Sequence, residues 1–392
     1  MNEDKLYEKS KQALLKEAEA YITKQRQYAH FHVPDSPEGL EVLKIMQPRP
    51  ISTYAPLKEF TQLERLEFGT TDSKMTVPTL AGLDAAVHLK SLGFVSKTTI
   101  TQDIGAIAGL TGLETLQIRQ LVQPIPPNMM ISLINLRQLS LSRLNHDSFD
   151  ELPPALEELS LNFFEIERVP PYKSAPSVRK LSLGAQTCGL EDLGSLRVFP
   201  NIEEVQLLSP KKLTDLSHAV ELVKLRVLDA NFCQASDLSG FRNHPSIQDL
   251  RLRGSQIRSL REMGHCPELQ ILYAEKTKLE SIEGIREQFP KLELLWIWGT
   301  KVKDLSPLEG MTHLKNLDVT MLKPKAWDFL LTLTALERLD LSKTSFSDPK
   351  LLLELPALKW VRLSGSQAER GTEDGLKLER LLQARGGELV HR

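Results

Sequence analysis

The sequence predicts an α/β repeat solenoid, a horseshoe with a parallel concave β-sheet, short 3₁₀ or helical convex returns, and a helical cap at each end. Three observations predict it. The pattern Leu-x-x-Leu-x-Leu, with occasional Ile, Val, Phe or Ala, occurs fifteen times between Leu40 and Leu358. The copies follow one another at a mean step of 318/14, or about 22.7 residues, within the range of short solenoid repeats. The last two apolar positions of each copy alternate with polar ones, as in a strand with one buried face. A repeat this short cannot bury its apolar side alone and must stack on its neighbours.

The elements follow in order. Residues 3–30 carry Tyr7, Leu14, Ala18, Tyr21 and Tyr28 at helical spacing, and Pro34 and Pro37 end the run. Residues 1–39 are expected to cap the first repeat, because an open solenoid end exposes strand edges. A partner-binding helix is the other reading. Residues 40–371 hold the repeats, and strands about 4.8 Å apart give an arc of roughly 70 Å. Return segments such as KVKDLSPLEGMTHL place Val302, Leu305, Leu308, Met311 and Leu314 three apart, the spacing of 3₁₀ turns. Lys325–Leu333 and Asp348–Leu355 can form true helices. Residues 372–392 read as a second cap. Thr372 is its N-cap, Leu378, Leu381 and Leu382 form its stripe, and Gly386–Gly387 ends it, leaving Glu388–Arg392 loose.

Composition narrows the function classes. The 49 basic and 51 acidic residues leave a net charge of −2, so no global field draws the chain to nucleic acid or anionic membrane. Three cysteines, Cys188, Cys233 and Cys266, are too few for a disulfide framework and fit a reducing compartment. The charged N-terminus lacks a secretory core, and no apolar run reaches the roughly 18 residues of a membrane span. A cytoplasmic protein, monomeric in isolation, is expected. Export by a dedicated secretion system would leave no such signature.

The repeats resemble the leucine-rich repeat family over nearly the whole chain. Repeats such as Leu292–Leu308 (LELLWIWGTKVKDLSPL) resemble the short class of internalins and SDS22-type phosphatase regulators. The 20-residue step from Leu136 to Leu156, with LPPALEELSL, is similar to repeats of bacterial secreted effectors and leans the origin towards bacteria. The family usually carries Asn three residues after the last strand Leu, bonding neighbouring turns. Leu144, Phe164, Cys233, Ser255, Thr277, Thr300 and Thr344 stand there instead. A Thr or Ser hydroxyl can replace part of that bonding. The resemblance implies protein binding through the concave face, without naming a partner.

Strand alternation selects the side chains that leave the concave sheet. Early repeats present small or polar ones: Ser91, Gly93, Gln117, Gln138, Ser140, Ser142, Ser160 and Ser182. Later repeats present a partner-binding set of Asp229, Phe232, Arg251, Arg253, Tyr273, Glu275, Trp296, Trp298, Asp318, Asp340, Trp360 and Arg362. Asp249 and Arg338 also take outward positions. Interface hot spots favour Trp, Tyr and Arg, and a solenoid core needs none of them there. Packing of the Trp residues on one another or under a cap is the plainer reading.

Catalytic patterns are missing: no phosphate-binding Gly loop, His-Glu-x-x-His or paired Cys-x-x-Cys occurs. His30 and His32 lack a third metal ligand, and His265–Cys266 adjoin without the geometry of a nucleophile pair. Asp229, Asp249, Asp318 and Asp340 can hold a cation or do acid–base work. The interleaved arginines point to salt-bridged recognition instead, and the alternating signs argue against nucleic acid. The expected function is a noncatalytic interaction module, without cofactor or metal, that occludes a protein or peptide partner; a bacterial effector and a toxin-neutralising protein are sub-cases. The alternative is a regulator that lends a rim arginine, Arg253, to a partner enzyme.

Overall fold

The computed structural model describes residues 3–26, 36–46, 51–70, 74–95, 97–120, 124–142, 151–162, 169, 172–184, 189–368 and 372–390. The chain forms two compact units, Met1–Ala185 with Val198–Pro200, and Gln186–Arg197 with Asn201–Arg392.

The N-terminal unit opens with α1 (Glu3–Arg26). Its strands are β1 (Val42–Ile45), β2 (Arg65–Phe68), β3 (Met75–Val77), β4 (Ser91–Phe94), β5 (Thr98–Ile100), β6 (Thr115–Ile118), β7 (Gln138–Ser142), β8 (Glu158–Asn162) and β9 (Lys180–Leu183). A short α2 (Met129–Ser132) precedes β7. Parallel pairing links β1, β2, β4, β6, β7, β8 and β9 in order. The predicted alternation holds: Leu66, Leu92, Leu116 and Leu139 align as in-register partners and are all buried. A second sheet of β3 and β5 was not expected. It lies in the returns of the two repeats that begin at Leu63 and Leu89, whose steps of 26 and 24 residues leave chain for an extra strand.

Helix α1 buries Leu14, Ala18 and Ile22 and contacts β1 and the turn Ala55–Glu59. Two of its polar side chains are buried with them, Ser10 and Glu17. Ser10 Oγ accepts from the backbone N–H of Ser52 and Thr53, each at 3.3 Å, and Glu17 Oε2 accepts from Met46 N–H at 3.3 Å. Backbone donors beside the first strand are thus satisfied by the helix, which an unpaired edge requires. Tyr28, Pro34, His30 and His32 lie outside the described residues.

The C-terminal unit carries β10 (Glu204–Leu207), β11 (Val227–Asp229), β12 (Asp249–Arg251), β13 (Ile271–Tyr273), β14 (Leu294–Trp296), β15 (Asn316–Asp318), β16 (Arg338–Asp340), β17 (Trp360–Arg362) and β18 (Glu388–Val390). Each pairs parallel with the next, and Leu228, Leu250, Leu272, Leu295, Leu317, Leu339, Val361 and Leu389 align as one ladder. The returns are short 3₁₀ turns, as at Ser217–Glu221, Ser239–Phe241, Arg261–Met263 and Ser306–Leu308. The single-turn helices α3 (Ile285–Gln288) and α4 (Pro349–Leu353) interrupt the series. Lys325–Leu333 forms a 3₁₀ turn at Asp328–Thr332 in place of an α-helix. Asp348 caps α4 by accepting from Lys350 N–H at 3.1 Å.

Two features of each turn correct the sequence reading. Thr277, Thr300 and Thr344 do not bond neighbouring turns. Each hydroxyl donates to the carbonyl three residues back, at 2.7, 2.7 and 2.6 Å, and closes its own turn. Inter-turn bonding falls mainly to the backbone, as in Gln256 N–H to Ala235 O at 3.0 Å and Lys301 N–H to Leu279 O at 2.8 Å, with a side-chain contribution where Asn231 Oδ1 accepts from Arg253 N–H at 2.9 Å. Cys233 is fully buried at the same position, while Leu144, Phe164 and Cys188 lie outside the described residues.

The tail also differs from expectation. Helix α5 (Glu373–Ala384) starts as predicted, with Thr372 Oγ1 accepting from Gly375 N–H at 3.2 Å, and Gly386 leaves it at φ +72°. Glu388–Val390 is not loose. It forms β18 and pairs with β17, closing that edge. The close approach depends on Gly387, where a Cβ would stand 1.8 Å from Lys359 O. Gly387→Ala is therefore expected to detach β18 and destabilise the C-terminal unit by roughly 1–3 kcal/mol. Urea unfolding and amide exchange of Leu363, whose N–H donates to Val390 O at 2.9 Å, check this.

Candidate protein-binding face

The in-register stacking turns one sequence position of each repeat into a row across the C-terminal unit. Asp229, Arg251, Tyr273, Trp296, Asp318, Asp340 and Arg362 are successive cross-strand partners. Trp360 stands beside Arg338 two residues earlier in the repeat. Arg253, Glu275 and Trp298 follow the last buried strand position, and Phe232 follows one residue further on. All twelve predicted residues therefore lie on one unit. Repeats of nearly equal length produce this, because a fixed step keeps each position beside its equivalent.

The charges on this face are paired within the chain. Arg251 Nη2 donates to Asp249 Oδ2 at 2.7 Å, and its Nη1 lies 3.8 Å from Asp229 Oδ2. Arg253 Nε lies 3.8 Å from Glu275 Oε1. Arg362 Nη1 donates to Asp340 Oδ2 at 3.4 Å. Alternation expects Asp249 and Glu275 at the surface, but they are only 7% and 3% exposed. Their carboxylates face Arg251 and Arg253, so the long guanidinium arms meet solvent in their place.

The aromatic rings are held by the same cations. The Arg251 guanidinium lies 5.4 Å from the Tyr273 ring centre, and Tyr273 meets Trp296 edge to face at 4.8 Å. Trp296 Nε1 donates to Asn316 Oδ1 at 3.1 Å. Arg253 lies 5.5 Å from the Phe232 ring and 5.7 Å from Trp298, whose centre is 4.7 Å from Lys276 Nζ. Trp360 carries Arg338 at 4.5 Å and Arg362 at 5.3 Å. Each such contact is worth about 0.5–1 kcal/mol at an exposed site. Together they fix the rings in place while leaving Trp296, Trp298 and Trp360 half-exposed. Mutual packing thus accounts for Tyr273 with Trp296, but not for Trp298 or Trp360.

Comparison with known proteins places this architecture. No family model matches the sequence. Leucine-rich repeat-containing protein 56 of Homo sapiens is 32% identical over 119 residues, which cover 29% of this chain and 21% of that protein. An LRR protein of Leptospira interrogans, LIC12759, superposes with TM-score 0.59 at 17% identity, over 91% of this chain and 92% of its own. An internalin of Listeria monocytogenes, InlF, gives TM-score 0.55 at 19% identity, over 89% and 94%. TLR13, solved in a complex with ssRNA13, gives 0.58 at 18%, over 89% and 56%. The fold is that of a leucine-rich repeat protein.

Other sites that the sequence raised do not assemble on the leucine-rich repeat scaffold. Among the described residues no three His, Cys, Asp or Glu side chains are placed to hold a metal ion. His265 Nδ1 faces Glu287 O at 2.9 Å, while the buried Cys266 thiol donates to Phe241 O at 3.3 Å. Burial raises that thiol above its ordinary pKa, which disfavours the reactive thiolate. No helix among the described residues is long and apolar enough to cross a membrane.

Sequence reasoning missed the turn that follows strands β10 to β17. Ser209, Phe232, Gly254, Lys276, Gly299, Met321, Lys343 and Gly365 occupy equivalent positions, and every one has positive φ. The signal was present in the three glycines, Gly254, Gly299 and Gly365, which recur three residues after the strand end. A Cβ on Gly254 would stand 2.8 Å from the Phe232 ring, so that glycine makes room for the exposed phenyl of the repeat before it.

The acids carry a measurable signature. Burial raises Asp229 and Glu275 above the usual carboxylate range. It raises Asp318 to about 6, with Asp340 opposite in register adding like-charge repulsion. A carboxyl with a raised folded pKa stabilises the fold most below its unfolded pKa, and that contribution is lost as pH rises through 6. Asp318→Asn is therefore expected to be more stable than the parent at pH 7.5, by up to about 2 kcal/mol, and no more stable near pH 4. Urea unfolding at both pH values checks it.

Proposed function

We propose that the chain is a noncatalytic protein-interaction module that binds a protein or peptide partner on the face of its C-terminal unit. The observation that carries this is the half-exposed set Trp296, Trp298 and Trp360, held by Arg251, Arg253, Arg338 and Arg362 on successive strands. Interfaces concentrate binding energy in such Trp, Tyr and Arg clusters, and rings fixed before binding lose little entropy on docking. Within this reading α1 and α5 serve as caps. Asp249 and Glu275 act from beneath, by orienting Arg251 and Arg253. Arg253 is engaged by Phe232, Trp298 and Glu275, so docking suits it better than donation to a partner's active site.

The test is Trp298→Ala. Its side chain is not part of the Leu ladder, so circular dichroism and melting should change little. Affinity for a partner captured by the parent chain should fall by at least about tenfold, the loss of a hot-spot side chain. Undiminished capture by the folded variant removes this face as the binding site.

A further inference from the structure

The turn beside the binding face has a chemistry of its own. Positive φ costs a residue with a Cβ on the order of 1 kcal/mol, and Gly254, Gly299 and Gly365 show that this turn accepts glycine. Phe232, Lys276, Met321 and Lys343 keep full side chains there at φ of +66°, +57°, +69° and +55°. Phe232 and Met321 are 42% and 53% exposed, and both lysines are exposed as well. Two residues further along the same turns stand Lys278, Lys301 and Lys323, all exposed. Only Lys301 of these five lysines makes an ion pair among the described residues, at 3.8 Å from Glu280.

The rim is predominantly basic, with Glu280 the exposed acid that meets Lys301. From the repeat at Leu225 to the repeat at Leu358, the two positions after the last buried residue of each strand segment hold one carboxylate, Glu275, and it is 3% exposed. Two exposed apolar side chains, Phe232 and Met321, punctuate the basic run. We propose that this rim docks an acidic protein segment, which lays carboxylates along the lysines and apolar side chains against Phe232 and Met321. The inference rests on the reading that the C-terminal unit binds protein, and it adds the chemistry of the partner. A single-stranded nucleic acid would also seek basic residues, but it needs ring faces on which bases stack. Each ring here already carries a cation: Phe232 carries Arg253, Trp298 carries Lys276 and Arg253, and Tyr273 carries Arg251 with Trp296 against it, which leaves edges for apolar side chains but no run of open faces for successive bases. That favours the acidic segment.

Fluorescence anisotropy with three labelled probes tests the assignment: a peptide of Asp, Glu and Leu, its counterpart with Lys for each acid, and an oligouridylate of equal length. The parent chain should bind the acidic peptide at least about tenfold tighter than the other two, with affinity falling as salt rises. The double variant Lys276→Glu/Lys343→Glu should lose at least about tenfold, since both side chains lie outside the core. Phe232→Ser/Met321→Ser should reduce binding of the Leu-bearing peptide to that of an all-acid peptide. Preference for oligouridylate, no binding of the acidic peptide, or unchanged binding by the double Glu variant overturns the proposal. Partner capture separates the two readings. Capture lost by Trp298→Ala but kept by Lys276→Glu/Lys343→Glu sinks the rim and leaves the protein-binding face standing. Capture kept by both removes the face as well.

Discussion

The constraint on which this structure depends is the in-register burial of one leucine per repeat. In the C-terminal unit Leu228, Leu250, Leu272, Leu295, Leu317 and Leu339 stand as direct cross-strand partners, each essentially inaccessible to water. Burying each such side chain is worth about 1.5–3 kcal/mol, but only when both neighbours are present. A one-residue slip would turn the leucines outward and the charged row inward, so register is strongly specified. The same register makes a surface row out of Asp229, Arg251, Tyr273, Trp296, Asp318, Asp340 and Arg362. The core therefore writes the order of the binding face.

Once the row is set, its residues are close enough to answer one another. Partners on adjacent parallel strands lie about 4.8 Å apart, within reach of a guanidinium arm or an indole. Arg251 can thus span to Asp229 and Tyr273, Arg362 to Asp340, and Arg338 to Trp360. The consequence is a face whose charges are internally compensated and whose rings are preset. Asp318 is the exception: its ladder partner is another acid, Asp340, and burial holds it near a pKa of about 6. The turn next to the face has the opposite character: its exposed lysines, apart from Lys301 beside Glu280, form no ion pair among the described residues.

Much of this was legible beforehand. Every one of the fifteen pattern copies begins a strand, because period-two apolar alternation closed by a fixed step has no other stable use. Thr372 and Gly386 were legible as helix ends for local reasons of capping and chirality. Other features were not. β18 could not be read from Glu388–Val390, since its pairing depends on Gly387 touching Lys359 O. The β3–β5 sheet needed two lengthened repeats side by side. Asp249 and Glu275 obey the alternation of an outward residue yet are buried, because neighbouring arginines and rings cover them.

The sequence by itself determined the repeat, its register and the set of residues that share the sheet face. These follow from the chain's local periodicity, and stacking copies it from repeat to repeat. Only the tertiary structure decided which of those residues meet solvent, which pair with each other, and that the turns after β10 to β17 are left-handed. Those outcomes depend on what the adjacent repeat supplies: a glycine beside Phe232, an arginine over Glu275, a second aspartate beside Asp318.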